Sequence, residues 1–73
     1  MSGWFEGHVK WFDSKKGYGF IIPGEGGPDI FVHHSVIDME GYRRLHDGEP
    51  VRYRASTGAK GPQATIVSRE RNL

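Results

Sequence analysis

Tyr18-Gly19-Phe20-Ile21-Ile22, followed across Pro23-Gly24-Glu25-Gly26-Gly27-Pro28 by Asp29-Ile30-Phe31-Val32-His33, is the stretch on which the fold turns. The density of Gly and Pro between the two apolar runs excludes helix and predicts a loop joining two strands. Side chains alternate across a strand, so Tyr18 and Phe20 share one face, with Gly19 and Ile21 on the other. In the next strand Ile30 and Val32 share one face, and Phe31 and His33 take the opposite one. Branched aliphatics fill a barrel interior without needing a hydrogen-bond partner, which makes them the core candidates. Tyr18, Phe20, Phe31 and His33 then point outward, and pairing of the two strands lays the four rings side by side. The opposite assignment buries the rings in the core or under the middle of the chain. It is disfavoured by Gly19, which between two aromatics fits a place where another backbone comes close.

Working outward, Gly7-His8-Val9-Lys10-Trp11-Phe12 mixes β-branched, aromatic and polar residues and reads as a strand ending at the turn Asp13-Ser14-Lys15-Lys16-Gly17. Strict alternation puts Trp11 on the face of Val9, inside, unless the strand coils or bulges. After His33 a single helical turn starts near Ser35 and irregular chain runs to Gly48. Residues 50–55 alternate again, with Arg52 and Arg54 facing away from the core. Residues 56–62 read as a loop, 63–68 as a fifth strand, and Arg69 onward as a charged end. Trp4 has no role assignable from the sequence.

Composition bounds the rest. A chain of 73 residues with no cysteine is one small domain over residues 1–73, held by packing alone. Gly 11 and Pro 4 accompany an aromatic content of 12% in a chain only 36% hydrophobic, which favours strands and turns. The predicted architecture is an all-β, five-stranded antiparallel barrel. Lys+Arg 10 against Asp+Glu 9 leaves a net charge of +1, so any polyanion site must arise from local arrangement. Lys10, Lys15 and Lys16 flank the first turn and Lys60 sits in the last loop, each placed to meet a phosphate while bases stack on the rings. No apolar run approaches the ~20 residues of a membrane span, and the N-terminus lacks a basic-then-apolar leader. A cytoplasmic, monomeric protein without a membrane partner is expected.

Lys16-Gly17-Tyr18-Gly19-Phe20-Ile21 resembles the ribonucleoprotein-1 motif of the cold-shock domain, and Ile30-Phe31-Val32-His33 its ribonucleoprotein-2 motif. The segments Gly7 to Phe12 and Lys60-Gly61-Pro62-Gln63-Ala64 are similar to that family too, in the right order, so the likeness runs from Phe5 to about Ser68. The resemblance implies an OB-fold barrel that binds single-stranded RNA and DNA, acts as an RNA chaperone and regulates transcription or translation. It also implies that Lys10, Trp11, Tyr18, Phe20, Phe31, His33 and Tyr42 form the binding surface, with Phe12, Lys16, Asp29 and Lys60 at its edges. Trp11 is thereby turned toward the surface. Three departures stand out: His34 where the family usually has an aromatic ring, Tyr18 for a usual Phe, and the loop from Pro23 to Pro28.

Other classes fit less well. The RNA-recognition motif has its two motifs in the reverse order and needs two amphipathic helices. A groove for proline-rich peptides would be ringed by acids, whereas lysines surround this one. For an enzyme there is no nucleophile with its base and no phosphate-cradling loop. His33 and His34, adjacent in a strand, should point to opposite faces and could not share a metal. No catalysis, cofactor or metal is expected.

Overall fold

The computed structural model describes residues 3–38, 45–58 and 61–69. Strands β1 (Phe5–Asp13), β2 (Tyr18–Pro23) and β3 (Ile30–His33) are followed by a 3-10 turn (His34–Val36), a two-residue strand β4 (Ile37–Asp38), and the long hairpin of β5 (Pro50–Gly58) and β6 (Gly61–Arg69). The five principal strands lie in the order β3-β2-β1-β5-β6, each pair antiparallel. A parallel pairing of Phe31 with Gln63 joins β3 to β6 and closes the barrel, while β4 pairs parallel with β6. Among the described residues, closure leaves no long edge strand open to another chain.

The interior is aliphatic, as alternation requires. Val9, Ile21, Val32, Ile37, Val51 and Val67 are fully buried, joined by Ile30, Leu45, Tyr53 and Ala64. Each large side chain contributes roughly 1.5–3 kcal/mol of burial, which is what supports a fold this small. Burial raises the Tyr53 phenol above its ordinary pKa, and the charge of Glu25 adds to the shift.

Two β-bulges interrupt the alternation. In the β1–β2 ladder Val9 pairs with Ile21 and Trp11 with Phe20, so Lys10 is the extra residue. Both Lys10 and Trp11 are consequently exposed although Val9 is buried. In the β5–β6 ladder Arg54 pairs with Ile66 and Ala55 with Ala64, leaving Thr65 over. That extra residue is why Ala64 and Val67, at odd spacing, both face inward.

The loop expected over 56–62 is largely strand. Ser56 pairs with Gln63, Thr57 with Pro62 and Gly58 with Gly61, so the hairpin ladder runs almost to its tip. Its Gly and Pro sit at the strand ends, where a missing N–H is tolerated and the positive φ of Gly61, 108°, lets the chain reverse.

Candidate nucleic-acid interface

The first turn sets the frame of the site. The Asp13 carboxylate accepts the backbone N–H groups of Lys15 (2.9 Å) and Lys16 (3.1 Å), and the Asp13 carbonyl accepts that of Gly17 (2.7 Å). Gly17 has φ 81°, a left-handed conformation that glycine adopts without cost. Its carbonyl accepts the N–H of His34 (2.8 Å), which ties the 3-10 turn after β3 to the turn before β2.

Gly19 fixes how closely β1 and β2 approach. A Cβ at this position would lie 2.7 Å from the Phe12 Cα and closer still to the Trp11 carbonyl oxygen. The backbones therefore meet where the sequence puts a glycine between two rings, and the rings on either side are drawn together on the outer face.

There, Trp11, Tyr18, Phe20 and Phe31 form a closed four-ring cluster. Ring centroids lie 5.4 Å apart for Trp11–Phe20, 5.7 Å for Phe20–Phe31, 5.8 Å for Tyr18–Phe31 and 5.9 Å for Trp11–Tyr18. Three of these contacts are edge-on and one is tilted, arrangements that aromatic quadrupoles favour. Trp11 is 37% exposed and the other three are half-buried, so the cluster is a surface patch with its rings supporting one another. A contiguous, partly exposed aromatic patch of this kind is consistent with a binding surface.

His33 stands opposite Tyr18 and extends the patch. Its Nδ1 accepts the Ser35 backbone N–H (3.2 Å) and lies 2.9 Å from the Ser35 hydroxyl, so the ring caps the 3-10 turn. The neighbouring His34 does not point to the opposite face as strand alternation implied. The strand ends at His33, His34 opens the 3-10 turn, and the two imidazoles sit 4.4 Å apart, tilted by 37°. His34 rests over Gly17, where a Cβ would meet its ring at 2.6 Å. Ser35 and Gly17 are the positioning residues that sequence reasoning missed; a serine two residues beyond an outward histidine was the available signal for the first.

The remaining candidates fall around this cluster. Lys10 pairs with Asp29 (2.8 Å) across the rim, so its ammonium is shared with a carboxylate. Lys16 is exposed beside the turn. Phe12 is half-buried and packs against the core from the side away from the four rings. Tyr42 and Lys60 lie outside the described residues. Among the described residues no three His, Cys, Asp or Glu come together as metal ligands, and no helix is long and apolar enough to cross a membrane.

A closed five-stranded barrel of the OB type, with an aromatic patch across three adjacent strands, defines a class of small nucleic-acid-binding domains. The model of the 'Cold-shock' DNA-binding domain matches residues 5–70, and the chain belongs to the cold-shock domain family. A cold shock-like protein of Thermotoga maritima is 59% identical over 61 residues, 84% of this chain and 91% of that one. Cold shock protein ScoF of Streptomyces coelicolor is 53% identical over 62 residues, covering 85% and 92%. Cold shock-like protein CspD of Escherichia coli is 48% identical over 62 residues, covering 85% and 84%. The solved structure "drosophila Unr CSD456" superposes with a TM-score of 0.77 on 93% of this chain and 27% of its own, at 16% identity, a likeness of fold alone. The family is one of non-enzymatic proteins that bind single-stranded nucleic acid.

Proposed function

We propose that this protein binds single-stranded RNA and DNA by stacking successive bases on Trp11, Tyr18, Phe20 and Phe31, with His33 and His34 extending the row and Tyr42 contributing a further contact to the strand. The observation that carries this reading is the closed contact of the four rings on one exposed face. Lys10, Lys16 and Lys60 meet phosphates at the edge, Asp29 holds Lys10 in place until a phosphate displaces it, and Phe12 supports the patch from the core side. An exposed ion pair is worth about 0–1 kcal/mol, so exchanging Asp29 for a phosphate costs little.

This geometry supports action as an RNA chaperone. A base on the platform cannot pair, and stacking contributes ~1–3 kcal/mol per base, against ~1.4 kcal/mol for an average duplex step. A few stacked bases thus offset a few base pairs. Short, weak helices are melted or kept from forming, while long ones persist. Masking or exposing such helices in a transcript is the route to an effect on transcription or translation. We take the protein to act in the cytoplasm as a monomer; that one barrel carries all four rings supports the second point.

The test is a titration of single-stranded RNA, single-stranded DNA and duplex of one sequence at fixed salt. Both single strands should bind much more tightly than duplex, with log affinity falling against log salt at a slope near −2, about −0.7 for each of roughly three phosphates. Duplex binding as tight as that of its separated strand would contradict base stacking.

A further inference from the structure

A second aromatic residue with cations stands on the outer face of β5, outside the site just described. The guanidinium carbons of Arg52 and Arg54 lie 5.2 and 5.3 Å from the ring centre of Trp4. Both arginines are exposed, and among the described residues neither carries an ion pair. They alternate with buried Val51 and Tyr53, so the pleat of β5 holds both on one face at a separation of about 6.8 Å, two strand residues. Glu6 is opposite Arg52 in the ladder and is the acid nearest in register. Among the described residues the local balance is therefore two positive charges against one negative.

This group is continuous with the aromatic platform. β1 carries the chain roughly 24 Å from Trp4 to Trp11, at about 3.4 Å per residue. Along it His8 and Lys10 are exposed, and Ile22, opposite His8, is 45% exposed on the adjoining part of β2. A strand leaving the four rings by way of β1 passes apolar and basic side chains before it reaches the arginines. Arginine suits this position because its planar group both stacks on a ring or base and presents several donors to a phosphate.

We propose that Trp4, Arg52 and Arg54 form a second contact for the same single-stranded nucleic acid, engaged only by strands long enough to run from the platform along β1. The arginines bind two successive phosphates, and Trp4 with the guanidinium planes supports the base between them. This inference rests on the platform reading, and it adds a length dependence that four rings alone do not give.

Oligothymidines from about four to about sixteen nucleotides, the range of site sizes for single OB barrels, are titrated against wild type and an Arg52→Thr/Arg54→Thr variant, with thermal melts of both. Threonine keeps β propensity at these exposed positions. The shortest strand should bind both proteins equally. The longest should bind the variant about fivefold or more weakly, with its salt slope reduced by roughly 1.4, two phosphates at about 0.7 each. Equal weakening at every length would reduce the arginines to a contribution of net charge and overturn the proposal. So would unchanged affinity with a lowered melting temperature, which would make the cluster a fastening for the N-terminal segment. Failure of the shortest strand to bind wild type would strike at the platform itself, a separate outcome.

Discussion

On the outer face of the β2–β3 hairpin stand Tyr18, Phe20 and Phe31, ring against ring; on its inner face, one residue along, stand Gly19, Ile21, Ile30 and Val32, all buried. One backbone carries both sets. The inner face contributes burial and with it nearly all the stability, whereas the outer rings are held half in water, where they contribute less to folding than they could in a core. Binding and folding are thus assigned to alternate residues of the same strands. A substitution can be aimed at either face alone, and Gly19 is the position where the two meet.

The largest expected effect is at that meeting point. Gly19→Ala places a methyl against the Trp11 carbonyl and the Phe12 Cα, both backbone, so β1 and β2 must separate. Destabilisation of about 3 kcal/mol or more is expected in denaturant unfolding, with binding weakened as the rings part. A variant as stable as wild type would mean that the strands do not approach this closely, and the comparison of faces would lose its hinge.

A smaller change sharpens the rim. Asp29→Asn frees Lys10 from its partner and removes a negative charge beside the bound strand. Affinity for oligothymidine should rise by less than about 1 kcal/mol, with a slightly steeper salt dependence. A loss of affinity would show that Asp29 itself serves the ligand, for instance by accepting from a base, and does not merely hold Lys10.

Much of this was legible from residues 18–33. Alternation alone separates Ile21, Ile30 and Val32 from Phe20 and Phe31, because a strand has only two faces and aliphatics need no polar partner. Gly19 as a close approach was also readable. Alternation does not place Trp11, which only the family resemblance turns outward: its position depends on the bulge at Lys10, which is set by pairing with β2 and leaves no mark in composition. The Thr65 bulge escaped for the same reason. Alternation misplaces His34 because β3 ends at His33 and His34 opens a 3-10 turn, where the two-residue period no longer holds. Residues 56–62 read as loop because their glycines and proline mark a turn without saying how far the ladder reaches into it.

The assignment of faces is tested most directly by two neighbours on β3, Phe31 and Val32, each measured in both a denaturant melt and an oligonucleotide titration. Phe31→Ala should weaken single-strand binding by ~1–3 kcal/mol and change stability little. Val32→Ala should lose roughly 1–2.5 kcal/mol of stability and leave the affinity of the folded fraction intact. The reverse pattern, with Phe31→Ala unfolding the barrel and Val32→Ala abolishing binding, would mean that the rings are core and that no aromatic platform exists.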